Sequence, residues 1–430
     1  MKASEDEGLK KVIGVRSLAA NAVNLTVGSG IFVLPAVVAT YLGAASFLAY
    51  ILCAILMGLV LLCFMEVGSK IPVTGGVYAY IEAAFGPFAG FLGSSLFWLG
   101  YCIMADAAVA NILADSLSTF FPAFNHSIVR VIFLALMFGG IAWLNVRGIQ
   151  QGNALVEFIT IVKLLPLIIL IVVGFFFVDT KNYNVYYWPS VRELGQVSLI
   201  LFFSFIGMEA SLSAGGEVKN PRKTIPRGIF LGMFIIFSLY VLVQFVAQGV
   251  LGAELPLHQF APLAEVGETI LGDIGKLMIV IGAAISGFGL ISGDIMITSR
   301  VPYAAARDGL LPKFLSAVHP KFSTPYISVI FYAGIGFIMS ISGGFRELAI
   351  LASSSMLIIY VGVILATIKL RKMPAEEGSF VIPGGITIPI IALLVTAWFL
   401  SNLSKGEIAG GLIFLAATSV VYFLMKVFRK

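Results

Sequence analysis

The sequence predicts an all-α polytopic membrane protein of twelve transmembrane helices. The first ten are expected to form a 5+5 inverted-repeat core with helices 1 and 6 broken, and helices 11 and 12 stand outside it. Three observations carry this. Of 430 residues, 59% are hydrophobic and only 11% charged, with a mean hydropathy of +1.02 that no soluble domain shares. Apolar runs near the ~20 residues a helix needs to cross a bilayer recur from end to end. Two of those runs, five apart, are interrupted by glycine and polar residues. Because five is odd, the second set of five enters the membrane from the opposite face, as inverted repeats require.

The runs are 17–41, 44–70, 87–117, 128–147, 154–178, 195–217, 228–252, 276–300, 325–343, 347–370, 386–403 and 408–427. The whole chain, 1–430, therefore reads as one membrane domain: a polar stretch 1–16, repeat one 17–178, repeat two 195–370, and helices 11–12 over 386–427, available as a contact surface between copies. The first run continues without an Ala-x-Ala cleavage site into Pro35, so no removable signal peptide is expected. Twenty of the 27 lysines and arginines fall in alternate loops on the side of the N-terminus, six on the other side, and Lys163 lies inside a run. The positive-inside rule then places both termini in the cytoplasm of a multi-pass cell-membrane protein. The net charge of +5 follows this loop pattern and does not imply nucleic acid.

Segment 1 holds Val27-Gly28-Ser29-Gly30-Ile31-Phe32. Glycine costs up to about 1 kcal/mol relative to alanine inside a helix, so two around a serine favour a break. Free amides and carbonyls at membrane depth are tolerated only within protein or against a polar cavity. The amides of Ser29, Gly30 and Ile31 would then be the positive start of a second half-helix, suited to a carboxylate. The competing reading is close helix packing through small residues. After segment 2, TGGVYAYIEAAFG is too polar to span and reads as an interfacial or re-entrant stretch on the inner face. The corresponding loop after segment 7, 252–275, is long, acidic and on the outer face. Segment 6 contains Phe203-Ser204-Phe205-Ile206-Gly207-Met208-Glu209, the second interruption.

Ionisable residues inside a bilayer are costly and usually partnered or functional. Lys163, deep in segment 5, admits three readings: a donor to the freed carbonyls of segment 1, a group that titrates during transport, or the partner of a buried acid. Asp106, Glu209 and Asp294 are the buried-acid candidates, with Glu209 nearest the second break. Asp106 and Asp294 equally suit polar groups between helices. Glu66, Asp115, Glu157 and Glu217 lie near segment ends, where solvated or capping roles are expected. His126, His258 and His319 are too scattered to ligate a metal. Cys53, Cys63 and Cys102 lie in apolar runs as packing residues. With no catalytic constellation and no GxxxxGK[ST] pattern, neither an enzyme, a cofactor nor ATP-driven transport is expected.

Five stretches together resemble the amino acid–polyamine–organocation superfamily: Gly28–Phe32 (GSGIF), Phe203–Ala210 (FSFIGMEA), the E-x-x-N-P-x-x-x-x-P loop from Glu217 to Pro226, Ala306–Pro312 (ARDGLLP), and Phe380–Gly385 (FVIPGG). The resemblance implies alternating access around the two breaks. It implies that a substrate α-carboxylate meets Ser29 and the amides of Gly30 and Ile31. The amino group would meet carbonyls of Thr26, Phe203 and Ile206, with Phe203 as an aromatic gate. Gly100, Tyr101, Ala105 and Asp294 would border the side-chain pocket. Lys163 resembles the lysine that stands in for sodium in sodium-independent members. The expectation is a sodium-independent amino-acid transporter, a proton symporter or an exchanger, favouring neutral L-amino acids. The alternatives are a cationic amino-acid or polyamine carrier, favoured by an acidic pocket, and a non-transporting amino-acid sensor.

Overall fold

The computed structural model describes residues 13–71, 77–118, 121–147, 153–186, 188–213, 218–307, 311–372 and 379–428. The side chains of residue 78, residues 153–159, residue 213 and residues 426–428 are not among those described. Expectations on residues 1–12, on Glu217, on the Glu157 side chain and on Asp308, Gly309 and Leu310 therefore lie outside the described residues. Within them the chain is helical, apart from turns and a single extended bridge between Ile13 and Val218, where the Lys219 amide donates to the Ile13 carbonyl at 2.9 Å. It is an all-α polytopic membrane architecture.

Segment 1 is split into α1 (Val15–Thr26), a 3-10 turn (Ser29–Phe32) and α2 (Leu34–Leu42). Segment 2 is α3 (Phe47–Lys70); α4 (Val77–Phe85) turns the interfacial stretch after it into helix. Segment 3 is composite: α5 (Pro87–Ser95), a π-helical turn (Leu96–Cys102) and α6 (Ile103–Ser118). Segments 4 and 5 are α7 (Ser127–Val146) and α8 (Asn153–Gly174). Segment 6 begins as α9 (Val191–Phe202), started by a capping box: Ser190 Oγ accepts from the Glu193 amide, and the Glu193 carboxylate accepts from the Ser190 amide at 2.8 Å. It ends in two 3-10 stretches, Phe203–Phe205 and Met208–Ser213.

Segment 7 is α10 (Pro221–Leu251), whose leading proline occupies a position with no amide bond to lose. The long loop after it carries α11 (Pro262–Leu271). Then follow α12 (Asp273–Thr298), α13 (Arg300–Arg307), α14 (Tyr326–Ser342), α15 (Phe345–Leu370), α16 (Thr387–Ser401) and α17 (Lys405–Phe428). Among the described residues nine helical stretches are long and apolar enough to cross a membrane. The 17- and 15-residue apolar helices α14 and α16 come in addition, and broken segment 1 is divided between shorter pieces.

The core lies where α1 packs on α10, α8 and the second 3-10 stretch of segment 6, while α12 packs on α6, α7 and α8. An aromatic column continues it: Phe64 meets Tyr80 and Tyr360 edge-on, and Phe202 meets Tyr360 and Phe399. Helix α17 sits at the rim against α5 and α15, its apolar side chains turned outward.

Candidate substrate site

Two helix breaks meet at the centre of the core. Helix α1 stops at Thr26, and the amides of Ser29, Gly30 and Ile31 donate to no acceptor among the described residues. The carbonyls that the break releases are claimed by other donors, and that of Thr26, expected to meet a substrate amino group, takes the Gly28 amide at 2.9 Å. Lys163 Nζ donates to the Asn24 carbonyl at 2.6 Å, Ser286 Oγ donates to that of Val27 at 3.0 Å, and the Tyr240 hydroxyl lies 3.2 Å from that of Thr26 and 2.8 Å from that of Ser204. Lys163 is 1% exposed and pairs with no acid among the described residues. Of its three sequence readings, the geometry is that of a carbonyl donor.

In the second break Ile206 is extended and Gly207 has φ +126°. A β-carbon at Gly207 would overlap the backbone of Leu25 and Thr26, lying 2.9 Å from the Leu25 carbonyl carbon and 3.2 Å from Thr26 Cα. Both the torsion and the approach therefore demand glycine. The Glu209 carboxylate accepts the Gly207 amide at 3.1 Å and is wholly buried. The carbonyls of Phe203 and Ile206 accept nothing among the described residues.

The breaks enclose a cavity of about 30 Å³, room for a water or two. Of the residues singled out from sequence, Thr26, Gly30, Ile31, Tyr101, Ala105, Phe203, Ile206 and Asp294 line it. Three do not. The Ser29 hydroxyl is buried beside the cavity, without a hydrogen-bond partner among the described residues. Glu209 acts on the Gly207 amide and so fastens the break from behind. Gly100 faces α15, where a β-carbon would meet Ser355 Oγ at 2.6 Å; the wide π turn gives the cavity to Tyr101 and turns Gly100 toward α15. Asp294 is half-buried and has no hydrogen bond or ion pair among the described residues. Asp106, by contrast, is fully buried away from the cavity and accepts from the Tyr332 hydroxyl at 3.2 Å. The Phe203 ring covers Gly30 and meets Phe345 edge-on, with centroids 5.8 Å apart.

Sequence reasoning missed Tyr240 and Ser286, which satisfy the freed carbonyls, since one tyrosine or serine in an apolar run looks like any other. It also underrated Glu66. That residue is 1% exposed and takes a two-pronged contact from Arg371, 2.8 Å from Nε and 2.6 Å from Nη2. It further accepts from Lys70 at 3.3 Å and from the Ile382 amide at 3.0 Å.

Interrupted helices that meet around a cavity inside a membrane domain, with free amides on one side and free carbonyls on the other, define the class of solute transporters. The sequence profile of the amino acid permeases matches residues 13–426, and the chain belongs to this family. It is 30% identical to the serine/threonine exchanger SteT of Bacillus subtilis, over 98% of both chains. It is 28% identical to the branched-chain amino acid permease BcaP of the same organism, over 98% of this chain and 94% of that one. Identity to the Bacillus subtilis methylthioribose transporter is 29%, again over 98% and 94%. The protein is thus a multi-pass membrane transporter and not an enzyme.

Proposed function

We propose that the protein carries neutral L-amino acids across the cell membrane by alternating access, independently of sodium, as a proton symporter or an exchanger. The observation that carries this is the pairing of unengaged Ser29, Gly30 and Ile31 amides with unengaged Phe203 and Ile206 carbonyls around one cavity. A helix start attracts a carboxylate, and bare carbonyls attract an ammonium. Together they suit the two ends of a zwitterion. Phe203 is the gate, Tyr101, Ala105 and Asp294 border the side chain of the cargo, and the Lys163 ammonium on the Asn24 carbonyl fills the place of a sodium ion. Five-helix repeats over 17–178 and 195–370 rock about this centre, with both termini cytoplasmic and α16 and α17 as the contact surface between copies.

Two of the three relatives above are named for uncharged side chains, which supports the neutral preference. A second reading, a cationic amino-acid or polyamine carrier, is favoured by Asp294, a carboxylate on the cavity wall with no partner among the described residues. The deciding experiment is uptake of labelled L-alanine into sodium-free proteoliposomes under an inward proton gradient, competed by leucine, arginine, putrescine and methylthioribose. Competition by leucine alone supports the neutral reading. No alanine uptake, together with uptake of labelled arginine or putrescine in the same vesicles, overturns it in favour of the second. Uptake without internal amino acid selects symport over exchange.

A further inference from the structure

A second cavity, of about 280 Å³, opens beyond the aromatic pair Phe203 and Phe345, on the face that the charge pattern makes extracellular. It is walled by the end of α2, the end of α6, the start of α15 and the loop before α11. Gln259 in that loop reaches Thr40 at 3.4 Å, and the Phe260 carbonyl accepts from Ser116 at 3.3 Å, so the roof is tied to both walls. Phe345 lines this chamber while its ring touches Phe203, which lines the central one. The Phe203–Phe345 contact thus joins the lining of one cavity to that of the other.

Three charged residues, Asp115, Arg346 and Glu347, line this outer chamber, and Arg346 is paired with neither acid. The Arg346 guanidinium is set over the Tyr41 ring, 5.6 Å from its centroid. A cation held by a ring face keeps its N–H donors free. Asp115 is held in place differently. Arg130 donates to its Oδ1 at 2.5 Å and to Asn111 Oδ1 at 2.6 Å. The Asn111 amide is in turn anchored on the carbonyls of Ser340 at 3.0 Å and Gly343 at 3.3 Å. Asp115 Oδ2 remains unengaged among the described residues. A positioned cation with free donors and a positioned carboxylate with a free oxygen thus share one chamber above the central site.

We propose that this chamber is a second amino-acid site, where Arg346 takes the α-carboxylate and Asp115 and Glu347 take the ammonium of a zwitterion on its way to the central cavity. This rests on the amino-acid reading of the central site but requires nothing of its side-chain preference. Cargo docks outside the Phe203–Phe345 pair before that pair parts.

The test uses full-length protein reconstituted in one orientation. The amino acid among alanine, threonine, leucine and arginine that the wild type carries fastest is then followed in both directions. Arg346→Gln should raise KM from the outer face about tenfold, the scale of one charge-assisted contact at a partly exposed position. KM from the inner face and the maximal rate should stay as in the wild type. Arg346→Lys, which keeps the charge and loses the fork, should fall between. The outer shift should persist in 0.5 M salt, because a direct contact outlasts the screening that removes long-range attraction. An unchanged outer KM, equal shifts from both faces, or a shift that salt abolishes would each overturn the proposal while leaving the central site intact. Transport of none of the four amino acids would instead overturn the reading on which it rests.

Discussion

At Lys163 one ammonium group holds the Asn24 carbonyl that the break in segment 1 sets free. Removing it leaves a buried carbonyl without a donor in the middle of the membrane, a loss of about 1–3 kcal/mol at the point where two half-helices must be held in register. Lys163→Ala is therefore expected either to abolish uptake or to remove its dependence on pH. Full activity with an unchanged pH profile, measured in proteoliposomes, excludes the coupling role. Gly207 is constrained more severely, by its torsion and by the backbone of Leu25 and Thr26. Gly207→Ala adds backbone strain of about 1–3 kcal/mol to a steric overlap. It should lower the thermal midpoint in detergent and eliminate transport, whereas Ala210→Gly, on the same stretch, should be far milder. Asp294→Asn separates the two substrate readings: alanine uptake should survive it with KM changed less than about threefold, while a cationic cargo would lose an ion pair and tenfold or more in KM.

The helices themselves were largely legible. Within the described residues each of the twelve apolar runs coincides with helical structure, because length and hydropathy govern what a bilayer accepts. Both breaks fall where glycine and polar residues interrupt a run. The π turn in segment 3 left no such mark: Leu96–Cys102 reads LFWLGYC, an unremarkable apolar stretch, yet it decides that Tyr101 and not Gly100 faces the cavity. Nor could the sequence pair Glu66 with Arg371, two charges 305 positions apart at the ends of different helices. Their contact ties α3 to the end of α15, and through the Ile382 amide to the approach of α16. Taking one partner from a buried ion pair is strongly destabilising, by about 3–5 kcal/mol, because the other charge is left uncompensated. Arg371 is 17% exposed, so the lower end applies. Arg371→Met should lower the thermal midpoint clearly, and adding Glu66→Met should recover part of the loss. A double mutant no better than the single would show that the pair is not coupled.

Across the whole molecule, the proposed sodium-independent mechanism predicts that sodium is absent from the rate law. On the proposal that the Lys163 ammonium takes the place of a sodium ion, replacing sodium by choline on both sides of the proteoliposome should leave initial uptake rates within about a factor of two. A stricter sodium requirement would displace Lys163 from that role. The direct approach of Gly207 to Leu25 also bears on how such a protein changes over evolutionary time. The joint between the two broken helices is main chain against main chain, so, glycine itself aside, substitution has almost no purchase on it. Phe203, Tyr101, Ala105 and Asp294, which line the cavity where we propose the cargo binds, can vary one at a time. Cargo preference can thus diversify freely while the moving joint is inherited unchanged.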